Sequence, residues 1–371
     1  MSKKKSELEI ASEEVKILVQ HTNAKISELG IRDKALYDAL TIIQTQFDKI
    51  RNVPSDTMLE YRKIKEVSLT WKQQVDKIYD DYEIAKQANV GRGAAGLGLG
   101  TGVVFLGPTA AMGVATTFGV ASTGTAIAAL HGAAATNAAL AWLGGGALAA
   151  GGGGMAAGNA LLALAGPIGW AIAGLSILGS GLLFWKARTD KKRLEEIFLL
   201  ISKRDKKSYE LAIVELNERI NRIAEETLKL QVAIMNIGTF GTDYNKMSEE
   251  QQYTLGSYVN LMNASTQLLV NPILGLQPKY KEEDLRNFQS FNSLAGLSYP
   301  YINKIKNLVI YMANLLYKID TEESDRGLLA KSFKKNKEFL KEMKLSKDDM
   351  SLDLFNLVDR ALKHFYVVKR E

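Results

Sequence analysis

The chain has three histidines and no cysteine, so its inventory for nucleophilic or metal chemistry is short. A thiolate nucleophile, a thiolate metal site and a disulfide framework are excluded at once. His21, His131 and His364 stand in unrelated contexts, and no Ser/His/Asp constellation assembles around them. Carboxylates are plentiful, but they lie on helical faces where a solvated surface is the ordinary explanation. A phosphate loop is suggested by "GRGAAG", Gly91 to Gly96, which matches the glycine spacing of dinucleotide-binding turns. That chemistry needs a strand before the glycines, a helix after them and an acidic residue about twenty positions on. Here the preceding pattern is helical, no acidic residue follows until Asp190, and no Walker lysine occurs between Lys86 and Lys186. The sequence therefore predicts no catalysis, no cofactor and no metal. The "NAS" at Asn263 is a weak glycosylation signal, because nothing indicates secretion.

The informative feature is an absence of charge. All 47 lysines and arginines and all 41 aspartates and glutamates fall outside Gly93 to Trp185, while 23 of the 31 glycines fall inside it. A glycine-serine linker would be polar, and this stretch is studded with Val, Leu, Ile, Phe and Trp. A membrane segment fits better, since one span needs roughly 20 uncharged, mostly apolar residues. The most span-like piece is "PIGWAIAGLSILGSGLLFW", Pro167 to Trp185, followed by Lys186, Arg188, Lys191, Lys192 and Arg193. Aromatic and basic residues mark a membrane surface in this way, with Trp142 and Trp170 as further candidates and Arg92 at the other edge. Basic residues on both flanks favour keeping both on one side, hence an even number of crossings, two or four.

Small residues at every fourth position let helices approach closely in lipid. Gly98 and Gly102, then Gly124, Ala128 and Gly132, then Gly154 and Gly158 have that spacing, although the overall density carries more weight than any one pair. "GGGALAAGGGG", Gly144 to Gly154, is expected to be the tip or the tight packing seam of the hairpin region. His131, Asn137 and Asn159 are the polar residues there that could do chemistry, and His131 either senses pH or lines a polar lumen, or is simply hydrogen-bonded locally. Alanine and glycine contribute little to insertion. Two readings follow: constitutive residence in the membrane, or shelter against the charged helices and insertion on release.

The flanks must position this segment, and they read as long amphipathic helices. Leu36, Leu40, Ile43, Phe47 and Ile50 form one stripe before Pro54, and Ile64, Val67, Trp71, Val75, Ile78 and Tyr82 form another after it, predicting an antiparallel pair. Tyr209, Ile213, Leu216, Ile220, Ile223, Thr227, Leu230, Ile234 and Ile237 hold a heptad, predicting a long coiled-coil-like helix. Ser248 with Gln251 is a capping box that opens the next helix. Pro300 opens another, whose Ile302, Ile305, Val309, Met312, Leu316 and Ile319 face one way, and shorter helices follow at Lys331 to Met343 and Leu352 to Val368. No period-two strand with hairpin chemistry occurs, so the fold class is all-α. The expected regions are residues 1–92, 93–185 and 186–371, with the first and last forming one elongated bundle. The net charge of +6 is too diffuse to predict nucleic-acid binding. "MSKKKSELEI" has no apolar core behind its lysines, so a cytoplasmic start is expected, converting to or resident in the membrane.

"STGTAIAALHGAAATNAALAWLGGGALAAGGGGMAAG", Ser122 to Gly158, resembles a glycine-zipper module of bacterial proteins linked to membrane perturbation. The whole layout, long helices around a central apolar hairpin, is similar to helical pore-forming toxins of the cytolysin A and haemolysin BL type. Apolipoprotein L and the pore-forming colicins share the sheltered-hairpin idea. Those toxins usually have a secretion route and a shorter apolar insert, and this chain departs on both counts. The resemblance implies a homo-oligomeric membrane effector, such as one in phage defence or self-killing. Alternatives are a membrane-anchored scaffold whose coiled-coil helices bind a protein partner, and one subunit of a multicomponent toxin.

Overall fold

The computed structural model describes residues 6–90, 108–119, 188–292, 299–335, 340 and 345–369. Among them are nine α-helices and no strand, so the fold is all-α. They are α1 (Glu7–Phe47), α2 (Ser55–Val90), α3 (Pro108–Phe118), α4 (Arg188–Ile237), α5 (Glu249–Val270), α6 (Glu282–Asn292), α7 (Tyr299–Leu316), α8 (Glu323–Lys335) and α9 (Leu352–Val368). At 1.5 Å per residue the 50-residue α4 is about 75 Å long and is the spine on which the others pack.

Local chemistry sets the helix boundaries. Ser6 and Glu9 close a reciprocal capping box on α1, and Ser248 and Gln251 close the expected one on α5. The chain turns after α1 through Asn52, held at φ 63°, and Pro54 precedes α2. Proline occupies the first position of α3 and Gly119, at φ 76°, ends it.

The principal partner of α1 is α4, and the two run parallel. Lys206 Nζ lies 2.8 Å from Glu14 near one end. Near the other, Arg51 and Asp243 form an isolated parallel bridge, with Tyr244 N–H donating to the Arg51 carbonyl at 3.0 Å. α2 does run antiparallel to α1: the Tyr61 hydroxyl donates to Asp48, and further along the Tyr37 and Trp71 rings sit 5.4 Å apart. This pair meets through large side chains while α3 packs against both helices, an arrangement the stripes alone did not anticipate. α5 returns along α4 and packs on α2. The direction of these helices puts the exit from α2 and the entry to α4 toward the same end of the bundle.

Two hydrophobic cores share α4. The first joins α1, α2, α3 and α5 to Tyr209 through Ile237. The second gathers α6 to α9 around Leu194, Ile197, Phe198 and Ile201, with Leu8 of α1. At the seam Arg204 Nη1 donates to the carbonyls of Asn314, Leu315 and Tyr317, closing the C-terminus of α7. The residues of α7 from Leu308 to Leu316 are buried all round, so the one-sided stripe expected there is corrected: α7 runs through the middle of the second core. α8 begins at Glu323, eight residues before the expected start, while α9 has the expected bounds.

Candidate functional site

One piece of the uncharged stretch lies inside the first core. In α3, "PTAAMGVATTF", every residue from Ala110 to Thr117 is buried. Eleven residues are too few for a stable isolated helix, so α3 owes its conformation to what covers it. Its neighbours are α1, α2 and α5.

Small residues let the α1 and α3 backbones nearly touch. A Cβ added to Gly30 would sit 1.8 Å from the Thr109 carbonyl oxygen, and one added to Gly113 would sit 2.0 Å from that of Ile26. No side chain fits at either position, and the close approach is the kind that glycine faces provide. The C-terminus of α3 is fastened separately. The Thr117 carbonyl accepts from Ile273 N–H at 2.9 Å and from Gln277 Nε2 at 3.3 Å, both just beyond α5. A Cβ on Gly119 would meet the Val270 carbonyl at 2.7 Å.

Beside this crossing, Asp33 of α1 is fully buried. Burial pushes its carboxyl well above the usual carboxylate range, opposed by Thr116 of α3 and by the positive charge of Arg219 on α4. Thr116 is the hydroxyl that α3 sets beside it, and Asp33 forms no salt bridge among the described residues. Arg219 spends Nη1 on the Leu268 and Asn271 carbonyls at 2.6 and 2.8 Å, closing the end of α5. Burial pulls its guanidinium below the ordinary value. The arrangement can hold a short apolar helix against a charged one, with an unpaired acid between them.

The expected site residues are placed as follows. Gly98, Gly102, Gly124, Ala128, Gly132, Gly154, Gly158, Trp142, Trp170, Trp185, Arg92, Lys186 and His131 lie outside the described residues, as do Pro167 to Trp185 and the GRGAAG turn. Arg188 opens α4. Lys191 lies 4.0 Å from Glu195, and Lys192 is exposed. Arg193 grips both oxygens of Asp325 at 2.8 Å, so this basic residue joins α4 to α8. The exposed His21 is on α1, and His364 on α9 packs against the Phe291 ring at 4.8 Å. Asn263 lies within α5. Among the described residues no group of His, Asp and Glu could hold a metal, and no helix is long and apolar enough to cross a membrane.

Sequence reasoning missed Gly30, Asp33, Gly113, Thr116 and Arg219. A signal for two of them existed: Gly30 is a glycine inside a helical pattern, and Asp33 interrupts the apolar stripe between Leu29 and Leu36. Compared with protein-family models, curated proteins and solved structures, the chain finds no match.

Proposed function

We propose that this chain is a membrane-inserting helical effector that permeabilises a bilayer after oligomerising, and that it keeps part of its uncharged stretch inside the bundle until that cover is released. The observation that carries the reading is α3, an uncharged apolar helix buried against the charged helices α1 and α2. The absence of charge from Gly93 to Trp185 supports it, because burial in a bilayer penalises every ionised group. α2 and α4 leave and re-enter the bundle toward one end, which supports an even number of crossings. Between the two sequence readings, sheltered insertion is favoured over constitutive residence.

A second reading, an anchored scaffold, draws on the outer faces of the long helices. Ile17 and Ile31 on α1, and Val214, Leu228, Val232 and Met235 on α4, are exposed apolar side chains on helices suited to binding a protein partner. Vesicles of phosphatidylcholine and phosphatidylglycerol loaded with a self-quenched dye separate the two. Dye release rising steeply with protein concentration is expected of an oligomeric pore. Binding without release would replace the pore with the scaffold, and no binding would remove both.

A further inference from the structure

The α1–α3 contact contains an acid that the fold does not pair. Other buried acids have a guanidinium against them: Arg193 donates to both oxygens of Asp325 at 2.8 Å, and Arg204 lies 2.8 Å from Asp205. Asp33 has neither arrangement, since the guanidinium whose field reaches it, Arg219, gives Nη1 to carbonyls of α5 and the segment after it. From α3 it meets Thr116, and α3 has no ionisable residue to offer. A carboxylate left in such surroundings has an uncompensated desolvation cost. Neutral, the same group is tolerated. At Gly30 and Gly113, moreover, the two backbones lie so close that not even a methyl group fits between them.

We propose that α3 docks most firmly while Asp33 is neutral, and that loss of this proton biases α3 toward release from α1. Freed, Asp33 titrates near the ordinary value of about 3.9. Docked, burial holds its proton to higher pH. Below about pH 4 both states are protonated and docking is undiminished. As pH rises, the freed state loses its proton first, so the balance moves toward release until pH passes the docked value, where the bias levels off. Acid therefore fastens α3 and a rise in pH loosens it. Release itself rests on the α1–α3 geometry; only its consequence, delivery of the uncharged stretch to a bilayer, rests on the proposed function.

The absence of native cysteine makes the test direct. Val114→Cys places one thiol on the buried face of α3, and Leu59→Cys on α2 is an exposed reference that corrects for ionisation of the thiol. Maleimide labelling of Val114→Cys, divided by the reference rate, is expected to be faster at pH 8 than at pH 5.5, each tenfold of acceleration corresponding to one pKa unit of coupling between the proton and docking. Adding Asp33→Asn is expected to make the rate independent of pH, at or below the pH 5.5 level of the Asp33 protein, and Asp33→Ala to remove the pH response without an amide to repack. A pH-independent rate in the Asp33 protein would overturn the proposal, as would a pH response that survives both substitutions. So would a parallel rise at Val259→Cys, buried in α5, because the bundle would then be opening as a whole. If labelling responds as expected but vesicles are not bound at pH 8, the release device stands and the membrane reading falls.

Discussion

At Gly113 two effects of opposite sign compete, and the geometry decides between them. Replacing an interior helical glycine with alanine ordinarily stabilises a helix by roughly 0.5–1 kcal/mol. Here the new Cβ would lie 2.0 Å from a backbone oxygen of α1, which cannot swing aside as a flexible side chain could. Gly113→Ala is therefore expected to destabilise the first core by roughly 1–3 kcal/mol, the usual cost of overpacking. Gly256→Ala on α5 supplies the control, because a Cβ there meets nothing within 4 Å. Urea midpoints should move down for Gly113→Ala and up for Gly256→Ala; equal upward shifts would mean that α1 and α3 are not held this closely. Neither effect was legible in the sequence, where Gly113 is one small residue in a tract full of them. Asp33 was legible in part: it lies on the stripe that runs through Leu29, Leu36 and Leu40, but no periodicity says what faces it.

Elements were read more reliably than their partners. In α4 the expected heptad is buried at Tyr209, Leu216, Ile220, Ile223, Thr227, Leu230 and Ile237, while at Ile213 and Ile234 the buried place belongs to the adjacent Ala212 and Ala233. Small residues take those places where neighbouring elements come close, as Gly275 does against Ala212. A stripe specifies a face and not the helix that covers it, so the parallel pairing of α1 with α4 could not be deduced from it. The polar devices on α4 were hidden for the same reason. Asp205, Arg204 and the end of α7 meet only because α4 passes through both cores. Burial pushes the Asp205 carboxyl up to about 6, with Arg204 opposing it. The unfolded value is about 3.9, so the penalty is absent below about pH 4, grows between there and pH 6, and is constant above, about 3 kcal/mol in all. Stability should accordingly fall over that interval. Asp205→Asn should flatten the contribution, visible as a smaller difference between urea midpoints taken at pH 4 and pH 7. An unchanged difference would place the titration elsewhere.

Across the whole molecule, the division into three successive regions by charge does not coincide with the division by packing. α1 and α2 share a core with the middle and end of α4 and with α5, whereas the start of α4 belongs with α6 to α9. The uncharged stretch contributes α3 to the first of these cores. Removing it should therefore have an asymmetric effect. Because α2 and α4 open toward one end, a Gly/Ser linker of about 20 residues, averaging about 25 Å end to end, can replace Gly93 to Trp185. Three of the four tryptophans leave with the stretch, and Trp71 becomes the sole fluorophore. It is wholly buried in the first core, on the helix against which α3 packs. Without α3, the faces of α1 and α2 that it covers are exposed, so Trp71 emission should shift to the red and its unfolding midpoint should fall. The second core has no contribution from α3 and should keep its stability, read by hydrogen exchange in α7 and α9. The same variant should no longer partition into vesicles. If it still does so, the membrane contact lies on the flanking helices, and the uncharged stretch serves the bundle alone.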